Sequence, residues 1–516
     1  MVLYGCERSV VSLAWPSAHL SITRMPEPRP SPIAPSGPPG DLPPEEFLRQ
    51  ADRLAKWIAA YLSAPERYPV LSRLAPGEFR AALPAAAPDG PESLDTILAD
   101  LDRVVMPGVT HWNHPGFLAY FANTASVPGI LGELVTAALN QVGILWRTSP
   151  ALAELEQVTT AWLRDAMDLP RDWFGMLTDT ASTSTLLALA AAREMDPALD
   201  IRRRGMAGRA DLSALRIYCS EHAHSSVDKA AITLGIGADN VVRVAADAES
   251  RVRPDALRAA IAADRAAGRR PLAIVATLGT TSSTAVDPIA ELANIAESEQ
   301  LWLHVDAAYG GVLALLPERR AEFAGLERAD SFVVNPHKWL FTPMDCSVLW
   351  TRRPEVLRRA FALTPAYLET AEQDVALSYS DYSFQLGRRF RALKLWFVIR
   401  AFGLDGLRER LRHHCALAQE FAGWVKRAPG WEIAAPVSMS VVCFRHLPTT
   451  SMDERALEAH NARILTHVNA SGRVFLSHTK LSDRYVLRVA IGNLGTQVTH
   501  LAEAWRLLSE GAQGTN

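Results

Sequence analysis

The sequence predicts an α/β protein, with a mostly parallel sheet in a large domain and a small α+β domain towards the C-terminus. From about residue 127, short apolar runs alternate with helical stretches, as expected for strands joined by helical crossovers. After a long helix near Phe390–Phe402, three further apolar runs predict the smaller domain. The chain has 516 residues, 48% apolar and 21% charged, enough for two or three domains with a core in each.

Charge and cysteine content argue against several classes of protein. The formal net charge of −3 leaves no basic excess to neutralise phosphates, so a nucleic-acid-binding protein is not expected. No apolar run approaches the roughly 18 residues of a membrane-spanning helix, so no membrane association is expected either. The cysteines are scattered and include no CxxC pair, which argues against disulfides and zinc sites and fits a reducing cytoplasm. They are Cys6, Cys219, Cys346, Cys415 and Cys443.

The first forty residues are not expected to pack into a core. The apolar patch Ser9–Ile22 makes a poor signal peptide, because it contains Pro16 and no net basic charge precedes it. Met25 is a more plausible start, so residues 1–24 are expected to be an upstream extension or a disordered tail. Nine prolines between Pro26 and Pro44 predict a flexible or polyproline-like segment.

The predicted helices carry apolar residues at three- and four-residue steps, and the predicted strands are short apolar runs. Helices are predicted at Glu45–Leu62, Leu94–Val105, Pro128–Gln141, Leu152–Met167, Thr183–Glu194, Val227–Leu234, Pro254–Ala267 and Pro288–Glu299. Strands of the large sheet are predicted at Leu215–Cys219, Val241–Val244, Leu272–Thr277, Leu301–Val305, Phe332–Val334 and Ser347–Trp350. Those of the small domain are Trp431–Ala435, Val441–Phe444 and Tyr485–Ile491.

A lysine and an aspartate follow two neighbouring predicted strands. Lys338 lies in Asn335-Pro336-His337-Lys338-Trp339, directly after a buried run. Partial desolvation there favours the neutral amine, which can form a Schiff base with an aldehyde cofactor. Asp306 ends the apolar run that begins at Leu301, and one crossover separates the two residues. A carboxylate at this edge can hold a pyridine nitrogen protonated, although a strand-end turn residue is the plainer interpretation.

Three further segments lie at predicted strand ends. The hydroxyl-rich run Asp179–Thr185 begins a helix, which fits either an anion site or simple N-capping. Gly279–Ser282 brings further hydroxyls to the same edge. His222 and His224 stand two residues apart, but no third ligand stands at a recognisable spacing, so we expect no metal site. An imidazole stacked on an aromatic cofactor is the better use of His224.

Together these motifs resemble the group II pyridoxal-phosphate decarboxylases, and most closely their aromatic-L-amino-acid decarboxylase branch. The resemblance runs from about Phe47 to Leu508. The motifs that carry it are Met106–Trp112, Ala223–Ser226, His304–Tyr309, Asn335–Trp339 and Leu386–Arg391. It implies the aspartate-aminotransferase-like fold type I, with a seven-stranded large sheet and pyridoxal 5′-phosphate as cofactor.

The resemblance also implies the roles of individual residues. By similarity, Lys338 forms the Schiff base, Asp306 pairs with the pyridinium nitrogen, and His224 stacks on the ring opposite Ala308. The remaining cofactor positions are Ala181, Ser182 and Asn335 for the phosphate and Thr281 near the phenolic oxygen. Asp179 near the phosphate departs from the family. The substrate positions are Trp112, Tyr120, Phe121, Asn123, Val142, Ile144 and Gly387.

The resemblance further implies the reaction. Tyr367 matches the tyrosine of the family's catalytic loop, and some relatives that form aldehydes lack that tyrosine or the stacking histidine. We therefore expect simple decarboxylation of an aromatic L-amino acid. Gly387 resembles the small residue of relatives that accept indole or catechol rings, and tryptophan is favoured, with DOPA, tyrosine and phenylalanine as further candidates. An aromatic aldehyde synthase, a decarboxylase of another amino acid, another enzyme on this fold such as an aminotransferase, and a non-catalytic protein derived from the family are the alternatives.

The chain is expected to divide into four segments and to act as a homodimer. By similarity, Val142 and Ile144 are contributed to the active site of the partner subunit. Residues 1–43 are expected to be a disordered proline-rich tail and residues 44–126 a helical dimerisation segment. Residues 127–395 are expected to form the large cofactor-binding domain, and residues 396–516 the small C-terminal domain.

Overall fold

The computed structural model describes residues 41–363, 372 and 375–514. Contacts divide the chain into residues 1–55 and 56–516, and the second unit contains every described helix and strand except the start of the first helix. The α-helices are α1 (Pro44–Ser63), α2 (Glu78–Ala81), α3 (Leu94–Asp100), α4 (Val127–Leu139), α5 (Pro150–Ala166), α6 (Ala181–Glu194), α7 (Ile201–Arg204), α8 (Ser226–Thr233), α9 (Pro254–Ala266), α10 (Ile289–Glu299), α11 (Pro336–Trp339), α12 (Pro354–Phe361), α13 (Arg391–Arg427), α14 (Glu454–Ala470) and α15 (Val498–Gln513). The strands are β1 (Phe117–Leu118), β2 (Phe174–Thr178), β3 (Leu215–Ser220), β4 (Val241–Val244), β5 (Arg270–Thr277), β6 (Trp302–Asp306), β7 (Ser331–Val334), β8 (Ser347–Thr351), β9 (Trp431–Ile433), β10 (Val441–His446), β11 (Phe475–Leu481) and β12 (Arg484–Ala490).

The large sheet has seven strands in the order β2-β8-β7-β6-β5-β3-β4. Strands β7, β6, β5, β3 and β4 pair in parallel, whereas β8 is antiparallel to both of its neighbours. Six strands therefore run in one direction, and their carboxyl ends meet at one edge. This confirms the predicted α/β class with a mostly parallel sheet.

The central strands are buried on both faces, which explains their nearly continuous apolar sequences. Every residue of β6, β7 and β8 is buried. Helix α6 packs on the sheet and also against α8 and α12, so its residues 187–192 are all buried. A covered sheet of this kind presents its ligand-binding groups beyond the carboxyl ends of its strands.

The second sheet has five strands in the order β1-β11-β12-β10-β9. Strand β1 comes from the N-terminal part of the chain and pairs in parallel with β11, while the other pairs are antiparallel. Its buried face packs against α13, α14 and α15 through residues such as Phe421, Ile464 and Leu501.

The structure differs from the sequence expectations in a few elements. Strands β1, β2 and β11 were not predicted, and neither were helices α2, α7, α11, α12, α14 and α15. Helix α13 extends to Arg427 with a break at Gly403. Gly403 has a φ of 64°, which a residue without Cβ adopts at little cost. The predicted helix Leu94–Val105 changes to a π-helical turn at Leu101. The four-segment division of the chain stays a prediction. In the described part of the chain, no helix is long and apolar enough to cross a membrane.

Candidate active site

Chemistry-bearing residues collect at the carboxyl edge of the large sheet. Asp306 is the last residue of β6, and Lys338 follows β7 within the short helix α11. His224 follows β3, and Ala181 begins α6 after β2. These strands run in the same direction, so the residues that follow them are far apart in the sequence but meet at one edge of the sheet.

Lys338, Asp306 and His224 form an electrostatically linked group. Desolvation lowers the pKa of the Lys338 amine below its ordinary value, and Asp306 opposes this while Arg488 reinforces it. His224 is exposed, yet enough protein surrounds its ring for desolvation to lower its pKa. Asp306 again opposes that shift, and Lys338 adds to it. The lysine is thus biased towards its neutral, nucleophilic form.

Backbone amides orient two of these side chains. The N–H of Ala308 donates to Asp306 Oδ1 at 3.1 Å, and the N–H of Ser226 donates to His224 Nδ1 at 3.1 Å. The second bond makes Nδ1 an acceptor, so a neutral His224 carries its proton on Nε2. Both groups are therefore held in position by the loops that follow their strands.

A stack of aromatic rings supports the lysine. The Lys338 amine lies 5.1 Å from the centre of the Phe121 ring. Phe121 stacks on Tyr309 at 3.8 Å, and Tyr309 stacks on Trp339 at 4.6 Å between ring centres. The Trp339 N–H donates to His414 Nδ1 at 2.9 Å, which ties the stack to α13. This arrangement forms a rigid apolar wall beside the amine.

Arg488 was not predicted from the sequence as a site residue, yet the structure brings it to Lys338. Its guanidinium lies 4.8 Å from the centre of the same Phe121 ring, and only 3% of the residue is exposed. It donates to the carbonyls of Ser282 and Tyr120, but Nη2 has no partner among the described residues. The available signal was one charged residue within the apolar run Tyr485–Ile491.

The start of α6 only partly matches the expected cluster of hydroxyls. Ala181 and Ser182 are its first residues, and Ser182 is exposed. Ser184 and Thr185 instead turn into the core, where Ser184 contacts Thr178 and Ser347 through its hydroxyl. Helical periodicity explains the difference. Ser184 and Thr185 lie three and four residues after Ala181, so they return to the face of the helix that packs on the sheet.

Asp179 folds back onto its own loop. Its Oδ1 accepts from the backbone N–H of Thr180 at 2.7 Å, and its charge contributes to raising the pKa of Arg391. The Asp179 carboxylate therefore already accepts a hydrogen bond just before α6.

The residues at this edge fit a pyridoxal phosphate. Ala181, Ala308 and Val333 form a small apolar cluster, suited to one face of an aromatic ring. Among the described residues, Asn335 Oδ1 and Thr277 Oγ1 are buried and have no hydrogen-bond partner. Buried polar atoms are rarely left unsatisfied, so their position marks a place for a polar ligand. Thr281 is exposed in the loop that follows β5.

The expected substrate residues fall into two groups. Trp112 stacks on Phe117 and Tyr120, and of the expected aromatic residues Phe121 lies beside the Lys338 amine. Asn123 belongs to this segment, and its Nδ2 lies 3.8 Å from the Met344 sulfur.

The second group is formed by Val142, Ile144 and Gly387. A Cβ built on Gly387 would lie 3.7 Å from Val142 Cγ1, and the neighbouring Gly143 N–H donates to the Arg388 carbonyl at 2.8 Å. Val142 is 51% exposed. Tyr367, the expected proton donor, lies outside the described residues.

The fold and this edge define a pyridoxal-phosphate enzyme of fold type I, whose lysine follows a central strand of the sheet. A model of the pyridoxal-dependent decarboxylase conserved domain matches residues 76–447. The chain therefore belongs to the pyridoxal-dependent decarboxylases, which are carboxy-lyases, and its cofactor is pyridoxal 5′-phosphate.

Curated and solved relatives agree with the resemblance to the aromatic branch. The chain is 40% identical over 484 residues to tyrosine decarboxylase 3 of Petroselinum crispum, covering 91% of this chain and 92% of that protein. It is 39% identical over 478 residues to phenylacetaldehyde synthase of Arabidopsis thaliana, covering 91% and 96%. The crystal structure of Catharanthus roseus tryptophan decarboxylase in complex with L-tryptophan superposes with a TM-score of 0.86 at 36% identity, covering 92% and 100%.

Proposed function

We propose that this enzyme converts an aromatic L-amino acid, with L-tryptophan favoured, into the corresponding amine and carbon dioxide. DOPA, tyrosine and phenylalanine are the further candidate substrates. The observation that carries the proposal is the buried Arg488 beside Lys338 and the aromatic wall, because this arrangement offers one cation for a carboxylate and an apolar surface for a ring. Relatives named for tyrosine and tryptophan decarboxylation support the same substrate class.

In this proposal the residues of the sheet edge hold the cofactor. Lys338 binds its aldehyde and Asp306 its ring nitrogen. Ala181 and Ser182, at the start of α6, bind its phosphate. Asn335 contributes its side-chain amide at the phosphate, Thr281 its hydroxyl near the phenolic oxygen, and His224 and Ala308 the two ring faces. When bound, the cofactor withdraws electrons from Cα of the substrate. Asp306 keeps the ring nitrogen protonated, which requires the carboxylate to remain buried and fixed as observed.

Arg488 is proposed to bind the substrate carboxylate. A buried guanidinium without a carboxylate partner is costly, and desolvation lowers the pKa of Arg488 accordingly. A substrate carboxylate would supply the missing charge and accept from Nη2. Phe121 lies under both Arg488 and Lys338, so it fixes the separation between the cation and the amine.

The reaction is proposed to end with a proton on Cα. The bond between Cα and the carboxylate breaks, carbon dioxide leaves, and the electron pair that remains at Cα takes up a proton. Tyr367 is the proposed donor, and His224, oriented by the Ser226 amide, lies beside the reacting atoms. Because both residues are present, we propose amine formation and not oxidation to an aldehyde.

An aromatic aldehyde synthase is the second candidate, because the Arabidopsis relative of that name is 39% identical. The two reactions differ in products: simple decarboxylation releases amine and carbon dioxide, whereas the synthase consumes dioxygen and releases aldehyde, ammonia and peroxide as well as carbon dioxide. Product analysis on the purified enzyme with L-tryptophan distinguishes them directly.

Asn123 is proposed to select ring substituents. Its Oδ1 is buried and has no partner among the described residues, so it can accept from an indole N–H or a phenol O–H. We expect tryptophan, tyrosine and DOPA to be turned over with a higher kcat/KM than phenylalanine. Replacing the polar group in Asn123→Val should lower kcat/KM for tryptophan by roughly 10- to 100-fold and leave phenylalanine nearly unchanged.

A panel of aromatic amino acids assayed with wild type and Asn123→Val tests this selection. Asn113→Ala is the control: its Oδ1 accepts from the Ala125 N–H, so it removes an amide that already has a partner. An equal loss with all substrates would contradict the role of Asn123. Turnover of histidine or glutamate alone would contradict the aromatic class.

A homodimer with shared active sites is proposed on the exposed face of α4. Val127, Leu131, Leu134, Val135 and Leu139 lie on this helix and are between 37% and 58% exposed, more apolar surface than a solvated helix usually presents. Val142 follows directly, and we propose that it enters the partner's site with Ile144. Light scattering should give a dimer mass for the wild type.

Leu134→Glu tests this interface, since a charge on the buried face of a dimer is strongly unfavourable. We expect a monomer with greatly reduced activity. Ile232→Glu is the matched control, because Ile232 is 57% exposed on α8. A dimer that is unaffected by Leu134→Glu would contradict this interface.

A cytoplasmic location is proposed from the cysteines. Among the described residues Cys219, Cys346, Cys415 and Cys443 are all unpaired, as in a reducing compartment. Fractionation of the producing cells should recover the activity with cytoplasmic markers, and recovery with secreted proteins would contradict it.

A further inference from the structure

His304 lies at the centre of the large sheet, two residues before Asp306 on β6. Its side chain has no exposed surface. Because side chains alternate along a strand, His304 and Asp306 point to the same face of the sheet. This is the face covered by α6, since the ring of His304 reaches a residue of that helix. The proposed reaction does not use this fully buried imidazole beneath the carboxylate, so the contacts that it makes indicate its role.

Two hydroxyl groups satisfy the imidazole. His304 Nδ1 lies 2.8 Å from Ser331 Oγ on β7, and Nε2 lies 3.3 Å from Thr185 Oγ1 on α6. Ser331 Oγ also accepts from Trp302 Nε1 at 2.9 Å, which fixes the position of the serine. A neutral imidazole has one donor and one acceptor, so either tautomer satisfies both contacts. The ring therefore bridges strand β6, strand β7 and helix α6.

Burial keeps this bridge uncharged. Desolvation lowers the pKa of His304 to about 4, although Asp306 acts in the opposite direction. Near neutral pH the imidazole therefore adds no positive charge beneath Asp306.

Thr185 connects the bridge to the expected phosphate site. It lies four residues after Ala181, so the two are one helical turn apart on the same side of α6. Its neighbour Ser184 bonds to β2 and β8 through its hydroxyl, whereas Thr185 makes the link to β6. The buried positions of α6 that follow are mostly Leu and Ala, whose contacts with the sheet have no fixed direction. A hydrogen bond is directional and resists sliding of the helix along the sheet.

The cofactor makes the position of α6 critical. The covalent frame of the cofactor allows only a narrow range of distances between its ring nitrogen and its phosphate, so the carboxylate at the end of β6 and the start of α6 must match that range. A misplacement of even about 1 Å in such a site is costly. The hydrogen bond between His304 and Thr185 is a side-chain link between the two elements that hold opposite ends of the molecule.

We propose that His304 and Thr185, braced by Ser331, are positioning residues that set the separation between the ring-nitrogen carboxylate and the phosphate-binding helix start. The proposal rests on the roles proposed above for Asp306, Ala181 and Ser182. It accounts for a buried polar bridge in a core that apolar side chains could fill.

The test compares pyridoxal phosphate with pyridoxal on the full-length apo-protein. Both carry the same ring and aldehyde, so changes at Lys338 or Asp306 affect both, and their ratio reports how well the two ends fit together. Thr185→Val keeps the shape of the side chain and removes its hydroxyl. We expect it to weaken pyridoxal phosphate about tenfold or more and pyridoxal by no more than about twofold.

Further variants separate positioning from folding. His304→Gln restores a donor and an acceptor and should lose less of the ratio than His304→Leu. The double variant His304→Leu/Thr185→Val should be little worse than either single variant, because both remove the same bond. Ser331→Ala provides a second route to the same measurement if a change at His304 or Thr185 prevents folding.

Two matched controls lie away from the bridge. Thr160→Val removes a buried hydroxyl that bonds to the Glu156 carbonyl within its own helix, at 2.8 Å. His460→Gln removes a buried imidazole that lies 2.8 Å from His446 in the small domain. Both are expected to lower the melting temperature of the apo-protein and leave the affinity ratio unchanged.

Equal losses for pyridoxal phosphate and pyridoxal, or unchanged affinities in all three bridge variants, would overturn the proposal. These titrations need no substrate, so a wrong substrate class would leave their result intact. Amine formation by the wild type separately tests the proposed function.

Discussion

Two buried arginines on the same face of the small sheet have opposite environments. Arg445 on β10 and Arg488 on β12 are 7% and 3% exposed. Cys443 is directly opposite Arg488 in the register, and Arg445 is two residues further along, so all three side chains share one face. Arg445 donates to Glu432 and to both carboxylate oxygens of Glu454. Arg488 donates to two carbonyls, and one of its nitrogens has no partner in the described part of the chain.

The pKa values follow the same division. Desolvation opposes the charge at both sites, but at Arg445 the two glutamates outweigh it and raise the pKa. At Arg488 desolvation prevails and the pKa is lowered. A structural arginine thus has its anions within the chain, whereas one that binds a ligand keeps a place for an incoming anion. The difference, more than burial alone, marks Arg488 as a functional residue.

The largest effect is expected from removing the cation at the site. Arg488→Met should lower kcat/KM for the amino acid by about 10²- to 10³-fold, since losing one partner of a buried charge pair costs about 2–5 kcal/mol. The loss should appear mainly in KM, while the affinity for pyridoxal phosphate stays near that of the wild type. Steady-state kinetics and cofactor titration measure the two. A loss of cofactor binding with an unchanged KM would assign Arg488 to the cofactor instead.

A carboxylate supplied within the chain should make Arg488 resemble Arg445. Cys443→Asp places an acid opposite Arg488, where it would compete with the substrate carboxylate. We expect kcat/KM to fall roughly 10- to 100-fold, by the strength of a charge-assisted hydrogen bond. Cys443→Asn is the isosteric control and should retain most of the activity. Equal effects of Asp and Asn would show that packing at this position, and not charge, is responsible.

Removing the structural arginine should affect stability and spare the chemistry. Arg445→Met leaves Glu432 and Glu454 without their cation, but the side chains of these glutamates are 35% and 44% exposed. We therefore expect a loss of about 2 kcal/mol in the free energy of unfolding, below the range for a fully buried pair. Denaturation curves should show this loss of stability, while kcat/KM should stay near that of the wild type. A selective loss of activity would remove the distinction between the two arginines.

The smallest expected effect is on the stability of the folded protein at acid pH, and it comes from His304 beneath the active-site edge. The folded protein holds the pKa of His304 at about 4, below its ordinary value of 6.5, so the unfolded chain binds more protons between these values. Stability from this residue is therefore complete above pH 6.5 and is lost as the pH falls towards 4. Between pH 7 and 5.5 it amounts to about 1 kcal/mol.

His304→Gln should remove that part of the slope in melting temperature against pH. His467, half exposed on α14, offers the control His467→Gln, which should leave the slope as it is. An unchanged slope in His304→Gln would show that this imidazole does not titrate as its burial implies.

The sequence was a good guide to the elements that carry strong local patterns. The apolar runs that became β3 to β8 were predicted within about two residues, because buried parallel strands are continuous apolar segments. Strand β2 was missed because Gly175 interrupts a short run that ends in polar residues, and β1 because two residues form no pattern. In β11, polar residues such as His478 and Lys480 disguise a strand that is only partly buried.

The site was predictable where motifs carry it, and less so where the fold does. Lys338, Asp306 and His224 were recognised from sequence motifs, and the structure brings them together at one edge. Arg488 was missed because it lies about 150 residues after Lys338 on a different sheet, and only tertiary folding brings the two together. Thr185 belongs to the run that fits either an anion site or N-capping, and neither interpretation indicates that its hydroxyl turns into the core to meet His304.

The most direct test of the central claim is the product balance with L-tryptophan. Purified enzyme loaded with pyridoxal phosphate should release tryptamine and carbon dioxide in equal amounts, without ammonia or peroxide. Lys338→Ala should abolish this turnover. Aldehyde, ammonia and peroxide formed in step with carbon dioxide would contradict simple decarboxylation, and the absence of turnover with every aromatic amino acid would contradict the substrate class.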